Sequence, residues 1–270
     1  MIGRFVLLGV LGAAGTLVAE PVRSGKAEME MIAAQTTVEA GAPVLLGFRM
    51  KMEPGWHTYW TNPGESGMKP RVRWTLPEGF VADEILYPFP DAFQAGDLRS
   101  YGYHGEVIFP VWVRWPETLK EVPKDLTFSV RVDWLTCDDA ACVPGRADFT
   151  LILSVGDPKK GPEAAVLEAA LERTPVPQKG WVLEVVQLDQ DVHLTVKAPE
   201  GQNLSKATVY PVTELALASR RPLEFHRKDG IWLADTTLNE YAEGPLQKVE
   251  LAISPEQGRP VLVTWSAEER

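Results

Sequence analysis

Apolar and polar residues alternate along most of this chain, which is the pattern of β-strands that bury one face. Clear examples are VIFPVWVRW at 107–115 and LTFSVRVDWL at 126–135, both rich in β-branched and aromatic residues. Proline and glycine interrupt the alternation repeatedly, at 53–55, 62–64 and 77–79. Many short strands separated by frequent turns predict an antiparallel β-sandwich.

One segment, 161–177, departs from this alternation and favours a short helix. Its sequence GPEAAVLEAALERTPVP is rich in strong helix formers. Pro162 stands where the first turn would begin, and Pro175 ends the run. The apolar residues at helical spacing are Val166, Leu167, Ala170 and Leu171. We expect this helix to bridge two β units.

Alternation resumes after the helix in WVLEVVQLDQDVHLTVKAP at 181–199, with a turn expected near Asp189–Asp191. The pattern therefore predicts an all-β chain in which two sandwich domains are joined by a short helix. The predicted division is a signal peptide at 1–19, a first domain at 20–157, a linker helix at 158–177 and a second domain at 178–270.

The first 19 residues have the composition of a secretory signal peptide. Arg4 supplies the positive start, Phe5 to Val18 form an apolar run, and Ala19 offers a small residue for cleavage. The run is shorter than the ~20 apolar residues that a membrane-spanning helix needs. We therefore expect an exported, periplasmic protein whose mature chain has no transmembrane segment and whose cysteines can form a disulfide.

The charge balance narrows the classes of partner. The 270 residues carry a formal net charge of −10, and the isoelectric point is about 5.0. An acidic surface argues against nucleic acid and against a polybasic membrane-binding patch. Hydrophobic residues make up 45% of the chain and charged residues 24%, which is ordinary for a folded protein and argues against disorder.

The two cysteines of the chain, Cys137 and Cys142, lie in DWLTCDDAACVPG at 133–145. If the residues between them form a hairpin tip, the two Cα atoms come within disulfide range. A structural disulfide is the usual outcome in an exported domain, but so short a loop adds little stability. Zinc needs about four ligands and no tight Cys/His cluster is present, whereas copper(I) can be held by fewer soft ligands. A dithiol that cycles is the third possibility, because a hairpin tip is open to an incoming thiolate.

A second stretch, EPGWHTYWTNPGESG at 53–67, concentrates aromatic residues before a turn. Trp56 and Trp60 fit a strand end that fills the core. His57 fits either a proton carrier or a surface residue, and a single histidine does not decide between them.

A third stretch, 87–113, places Phe89 and Phe93 in a proline-rich loop that is poor in strand signals. Aromatic residues on a loop can plug the core, which is the commoner case, or cover a reactive group. Tyr103 and His104 are interpreted as turn residues.

These three stretches, in this order, resemble the N-terminal periplasmic domain of the DsbD/ScsB thiol:disulfide interchange proteins. The matching segments are GWHTYWTNPGESG, SYGYHGEVIFPV and DWLTCDDAACVPG. The resemblance covers about residues 21–155 and is closer to the ScsB-like branch, which the helix and the second β unit also suit. It implies an immunoglobulin-like fold, so the fold class predicted for the whole chain is two immunoglobulin-like β-sandwich domains joined by a short helix.

The resemblance also implies the chemistry of the cysteine pair. Cys137 and Cys142 match a redox pair that takes electrons from a DsbD-type membrane reductase or a thioredoxin-like domain and passes them to periplasmic thioredoxin-fold proteins. By analogy Cys142 attacks the partner and Cys137 resolves the mixed disulfide. Asp138 and Asp139 raise the pKa of a neighbouring thiol, which favours exchange that is gated by partner docking. The expected class is a component of a protein-disulfide reductase, with neither a cofactor nor a metal.

Four aromatic or imidazole side chains are carried over to the same site. Phe93 is the best match for the phenylalanine that caps the cysteines in DsbD, and Phe89 is the alternative. Tyr59 matches a site tyrosine on the facing strand, and His57 stands where DsbD has another tyrosine.

DsbD and ScsB proteins continue into a membrane domain and a thioredoxin-like domain, whereas this chain ends at WSAEER. We therefore expect a separate membrane protein to reduce the pair if the exchange function is present. Two alternatives stay open: an exported immunoglobulin-like binding or assembly module with an inert disulfide, and a copper(I)-handling protein, which the link between ScsB and copper tolerance suggests.

Overall fold

A computed structural model describes residues 20–95, 98–119 and 121–269. The predicted signal peptide at 1–19 lies outside the described residues. Within them the chain is built mainly of β-strands, with one α-helix, α1 (Ala164–Glu172), between two groups of strands. The predicted all-β class is confirmed. In this part of the chain no helix has the length and apolar character to span a membrane.

The first group of strands precedes α1. These strands are β1 (Val22–Ser24), β2 (Ala27–Ala33), β3 (Gln35–Val38), β4 (Val44–Met52), β5 (His57–Gly64), β6 (Arg71–Thr75), β7 (Val81–Ala82), β8 (Asp91–Ala95), β9 (Leu98–His104), β10 (Glu106–Arg114), β11 (Asp125–Cys137), β12 (Cys142–Val155) and β13 (Lys159–Lys160). The second group follows α1. It consists of β14 (Val176–Pro177), β15 (Val182–Leu188), β16 (Asp191–Lys197), β17 (Thr208–Pro211), β18 (His226–Lys228), β19 (Ile231–Thr237), β20 (Lys248–Ser254) and β21 (Val261–Ser266), with short 3-10 helices at Leu204–Lys206 and Ala267–Glu269.

Two sheets form the immunoglobulin-like sandwich of the first domain. One has the strand order β1-β2-β4-β10-β7, and the other has the order β13-β3-β12-β11-β5-β9-β8, with β6 also paired to β11. The apolar residues that alternate along each strand meet between the sheets and form the main core. Its largest fully buried side chains include Trp60, Trp134, Tyr101, Phe48 and Phe109.

The hairpin of β11 and β12 is the longest pairing in this sandwich. Every residue of β11, from Asp125 to Cys137, has a register partner in β12. Near the tip Trp134 pairs with Gly145, and the buried indole lies directly against the glycine. Because glycine has no side chain, the ring can pack on the backbone of β12. This contact anchors the last residue pairs before the tip of the hairpin.

Helix α1 packs on the outer face of the five-stranded sheet, against β4 and β10. Ala164 and Leu167 form a small apolar cluster there with Ile32 and Leu45. The helix therefore belongs to the packing of the first sandwich as well as connecting it to the second.

Two details of α1 differ from the predicted helix. It begins at Ala164 rather than at Pro162, since Glu163 takes the N-cap position. Val166 is exposed, although it was predicted on the apolar face. The buried residues Ala164, Leu167 and Ala170 follow each other at three-residue spacing, and Val166 lies to one side of that stripe.

The strands that follow α1 form two four-stranded sheets, with orders β14-β21-β20-β17 and β15-β16-β19-β18, and we call this group the second domain. Its own core includes Leu194, Val249 and Leu251. The predicted turn between β15 and β16 is confirmed, and Asp189 adopts a positive φ of 52° in it. Tyr210 of β17 packs into the core of the first domain rather than into this one.

Replacing Gly145 with alanine should destabilise the first domain. A Cβ atom at this position would lie 2.3 Å from the Trp134 indole, so the ring or the hairpin backbone would have to move. We expect the free energy of unfolding, measured by urea titration, to fall by roughly 1–3 kcal/mol. Gly156→Ala is the matched control, because the nearest atom to its Cβ would be 3.6 Å away. Equal stability of the two variants would contradict the anchoring role of Trp134.

Candidate functional site

The hairpin of β11 and β12 closes with a disulfide between Cys137 and Cys142. The sulfur atoms are 2.02 Å apart and the Cα atoms 4.1 Å apart. In the turn, the backbone N–H of Asp138 donates to the carbonyl of Ala141 at 2.9 Å. Since hydrogen-bonded and non-hydrogen-bonded pairs alternate along a ladder, the cysteines occupy a non-hydrogen-bonded pair, where side chains come closest. The predicted hairpin tip is confirmed.

The turn between the cysteines is held by Asp138. Its Oδ1 accepts hydrogen bonds from the backbone N–H groups of Ala140, at 2.9 Å, and Ala141, at 2.8 Å. These bonds, that of Ala140 first, stabilise the carboxylate and lower the pKa of Asp138. With the exposed Asp139 beside it, the turn presents acidic groups next to the disulfide.

The two cysteines differ in accessibility. Cys137 is only 2% exposed, whereas Cys142 is exposed. The cause is strand order, because Cys137 lies between β12 and β5, while β12 pairs with β3 only at Ser154 and Val155, far from Cys142. An incoming thiolate can therefore approach Cys142 and not Cys137.

Four side chains lie in one row across neighbouring strands. The ladder pairs Cys142 with Cys137, Cys137 with His57, and His57 with His104. Residues that are paired in a sheet project from the same face. We call this set the cysteine–histidine row. His57 is buried and His104 is exposed, with their ring centroids 5.5 Å apart.

Phe93 of β8 covers the histidine end of the row. Its ring centroid is 4.3 Å from that of His57 and 5.1 Å from that of His104. Tyr59, the next residue on the same face of β5, places its hydroxyl 3.3 Å from Nε2 of His57. The Tyr59 and Phe93 rings are 6.4 Å apart, so both rings and the His57 imidazole form one cluster.

Gly67 makes room for the Tyr59 ring. A Cβ atom at Gly67 would lie 2.1 Å from Cε1 of Tyr59, and the backbone there has a φ of +104°. Any other residue would both collide with the ring and strain the backbone. The turn that follows β5 therefore helps to fix the tyrosine beside His57.

The comparisons with known proteins bear on the domain that carries this row. Residues 28–154 match the sequence model of the family described as thiol:disulfide interchange protein DsbD, N-terminal. The first domain is a DsbD/ScsB-like N-terminal domain.

The chain is also similar to a solved structure, the N-terminal periplasmic domain of ScsB from Proteus mirabilis. The identity is 18%, the TM-score is 0.65, and the match covers 89% of this chain and 93% of that chain. At this identity the likeness concerns the fold, and its coverage takes in both groups of strands. The YadV chaperone matches at 12% identity over 88% of this chain and 98% of its own, with a TM-score of only 0.25. The curated proteins gave no match.

The DsbD/ScsB-like domain brings most of the predicted site residues together. Cys137, Cys142, His57, Tyr59 and Phe93 all lie in or against the cysteine–histidine row. Their assignment to catalytic and capping roles is taken up as a proposal below.

Three points of the sequence-based site differ from the structure. Phe93 lies in a strand rather than in a loop, because β9 supplies a ladder in which it pairs with Ser100. Phe89 lies away from the row and stacks on Tyr210, with ring centroids 5.1 Å apart. His104 is the end residue of β9 and not a turn residue. The alternation of LRSYGYH places His104 on the other face of β9 from the buried Tyr101 and Tyr103. Only the pairing with β5 puts it beside His57.

Burial governs the electrostatics of the row. The pKa of His57 is lowered by burial first and by His104 second, and the carboxylates of Asp139 and Asp138 oppose this shift. Burial likewise raises the pKa of Tyr59. The domain thus keeps an uncharged imidazole at the register position beside Cys137. A neutral imidazole can accept a proton from a thiol.

The row does not present a metal-binding set in this oxidised form. Both sulfur atoms are engaged in the disulfide, which leaves the imidazoles of His57 and His104, fewer donors than the about four ligands of a structural zinc site. In residues 20–95, 98–119 and 121–269 no group of three or more His, Cys, Asp or Glu side chains is arranged to hold a metal ion.

The buried neutral His57 should make the stability of the domain depend on pH. The unfolded chain takes up a proton at this histidine near the ordinary pKa of about 6.5, whereas the folded chain resists it. The free energy of unfolding should therefore be full above pH ~7 and should fall as the pH is lowered through ~6.5 and below.

The measurement is urea unfolding at a series of pH values. His57→Gln should remove part of the decrease in stability below pH ~6.5, because its side chain does not titrate. His226→Gln is the control, since His226 is exposed in the second domain. If the wild type and His57→Gln lose stability in parallel, His57 is not the group responsible.

Proposed function

We propose that this protein is an exported thiol:disulfide exchange module that passes electrons between a membrane reductase and periplasmic thioredoxin-fold proteins through Cys137 and Cys142. The observation that carries the proposal is the disulfide at a hairpin tip with one buried and one exposed cysteine. The DsbD/ScsB-like domain around it supports the same chemistry. The disulfide is placed where a second protein can reach one sulfur and where a buried histidine stands behind the other.

Stabilisation alone is a weak reason for this disulfide. It joins residues separated by only 5 positions, and so short a loop restricts the unfolded chain little. The hairpin it closes is already paired along its whole length and is anchored by Trp134 on Gly145. Because a disulfide stabilises mainly by restricting the unfolded chain, this one adds little stability, and an exchangeable bond explains its presence better.

Reduction begins at Cys142 in this proposal. A thiolate of a reduced partner attacks the Cys142 sulfur, a partner–Cys142 disulfide forms, and the Cys137–Cys142 bond breaks with Cys137 leaving as the thiolate. The partner's second thiolate then attacks its own bridged sulfur and releases Cys142. Two electrons have moved to Cys137 and Cys142, two protons are taken up by their thiolates, and the partner is left with a disulfide.

Delivery to an oxidised protein runs the same steps in reverse. The exposed Cys142 thiolate attacks the client disulfide and expels one client thiolate. Cys137 then attacks the Cys142 sulfur, the client's second sulfur leaves as a thiolate, and the Cys137–Cys142 disulfide is restored. The exposure of Cys142 and the burial of Cys137 support Cys142 as the attacking cysteine and Cys137 as the resolving cysteine.

The side chains around the pair take supporting roles in this proposal. His57, neutral and buried beside Cys137, accepts the Cys137 proton when that thiol must attack, and Tyr59 fixes the ring through its hydroxyl. Phe93 covers the histidine end of the row and limits the access of unselected thiols from that side until a partner docks. The acidic turn of Asp138 and Asp139 opposes thiolate formation, so a partner with basic groups at its own cysteine site would fit here.

The periplasmic location belongs to the same proposal. It is supported by the signal-like composition of residues 1–19 and by the match to a periplasmic ScsB domain. A thioredoxin-fold protein suits this site as a partner, because its exposed attacking cysteine can reach the exposed Cys142 at the hairpin tip.

The first test is trapping with single-cysteine variants. Cys137→Ser should accumulate a mixed disulfide through Cys142 with a thioredoxin-fold protein that keeps only its attacking cysteine, activated as a thionitrobenzoate disulfide, since neither protein then has a resolving thiol. Cys142→Ser should trap much less, because its remaining thiol is buried. Non-reducing gels and mass spectrometry measure the adduct, with the double serine variant as the control. Absence of any adduct from both single variants would defeat the proposal.

The second test is a redox titration of the wild-type disulfide, followed by thiol labelling in glutathione buffers. An exchangeable pair should have a reduction potential above about −300 mV, and an inert structural disulfide a potential below it. A value below this limit would favour a binding or assembly module with the same fold.

A further inference from the structure

The strand that carries Phe93 is the edge of its sheet. Among the described residues β8 pairs only with β9, from Asp91 to Ala95. An edge strand with one neighbour opens more readily than a central strand, because fewer hydrogen bonds and contacts hold it. Any further contact with β8 therefore helps to fix the position of Phe93.

One face of this strand meets the second domain through Tyr210. The Tyr210 side chain comes from β17, is only 8% exposed, and lies among aromatic rings of the first domain. Its ring stacks on Phe89 at 5.1 Å with an interplanar angle of 21°, and it lies 4.7 Å from Tyr101 and 6.5 Å from Trp60. Phe89 lies just before β8, so this stack holds the start of the strand in place.

The hydroxyl of Tyr210 also faces β8. Burial raises the pKa of Tyr210, and the Arg99 guanidinium and the backbone N–H of Ala92 act against this shift. Ala92 precedes Phe93 directly. The second domain thus contacts the backbone of β8 one residue away from the ring that covers the histidines.

The register explains how both contacts are possible. Ala92 pairs with Tyr101, and Phe93 pairs with Ser100. Successive residues of a strand point to opposite faces, so Ala92 faces the Tyr210 cluster while Phe93 faces the row. The β8–β9 hairpin therefore contacts the second domain on one face, and on the other face its Phe93 covers the histidine end of the row.

Further contacts hold the same region. The backbone N–H of Phe89 donates to the carbonyl of Arg173, just after α1, at 2.7 Å. The Arg259 guanidinium of the second domain donates to the carbonyl of Leu171 at 2.7 Å. In β5, the buried Asn62 amide donates to the carbonyl of Pro211 at 2.8 Å. Strand β5 is thus bonded directly to the second domain, and the segment before β8 is bonded to the end of α1, which Arg259 of the second domain also contacts.

We propose that Tyr210 is a positioning residue of the disulfide site: it holds the edge strand so that Phe93 lies over His57, the register partner of Cys137, and the second domain thereby sets how readily the disulfide exchanges with an external thiol. This inference rests on the proposed exchange function and on the capping role of Phe93. It assigns a task to a domain that contains neither cysteine.

The experiment measures the rate at which the wild-type disulfide and its variants are reduced by dithiothreitol at pH 7. Tyr210→Ala removes the stack and the contact with Ala92, so the cap should open more often and the rate should rise roughly two- to tenfold, the range set by the loss of an aromatic pair. Tyr210→Phe keeps the stack and should stay closer to the wild type. Tyr241→Ala is the matched control, because Tyr241 belongs to the second domain and is 69% exposed.

Two additional variants separate positioning from general loss of structure. Leu194→Ala weakens the core of the second domain away from Tyr210, and it should lower thermal stability without accelerating reduction. Phe93→Ala removes the cap ring and should itself accelerate reduction. In the Phe93→Ala background, Tyr210→Ala should add little, since both changes act on the same cap.

If Leu194→Ala accelerates reduction as much as Tyr210→Ala, or if Tyr210→Ala has its full effect without Phe93, the positioning role is wrong. If Phe93→Ala accelerates reduction and Tyr210→Ala does not, the inference fails while the proposed cap stands. If Phe93→Ala changes nothing, the cap and this inference both fail, whereas exchange at Cys142 is judged separately by the trapping experiment.

Discussion

The register of the β11–β12 hairpin is the constraint on which the rest of the site depends. The ladder brings Cys137 opposite Cys142, and the same ladder brings Trp134 onto Gly145 near the tip. A slip of one residue would turn each side chain of one strand to the other face and would separate the sulfurs. The large indole over the small glycine penalises that slip, because no neighbouring residue of β12 offers the same space. The packing of the core therefore also selects the pairing of the cysteines.

From that fixed hairpin the site extends sideways across the sheet rather than along the chain. Cys137 is followed by His57 on β5 and by His104 on β9, and Phe93 on β8 closes over the imidazoles. Each step depends on backbone hydrogen bonds between strands, which hold positions more tightly than a loop would. The weak point is the edge strand β8. The first sandwich gives β8 only one neighbouring strand, β9. The Tyr210 side chain of the second domain adds a second contact on the opposite face.

Burial divides the pair chemically. Cys137 and His57 lie where charge is disfavoured, and the lowered pKa of His57 expresses this. Cys142 lies in the open beside the Asp138 turn, whose carboxylate is fixed by backbone amides. One sulfur is therefore accessible from the surface and the other is not. A staple would need no such difference between its ends, whereas a directional exchange through one mixed disulfide does.

Local patterns sufficed for many of the strands, for the Asp189 turn and for the hairpin that joins Cys137 to Cys142, because alternation and turn chemistry act between residues close in sequence. They failed for β8 and β9, where the sequence pattern indicates a loop. The resemblance to DsbD/ScsB domains singled out Phe93 and left Phe89 as the alternative. Tertiary structure separated the two, since the β8–β9 pairing carries Phe93 to His57 while the second domain takes up Phe89. No local signal placed His104 beside His57 or Tyr210 beside Phe89. Their neighbours come from distant strands, and only the folded register and the packing of the two domains decide which side chains meet there.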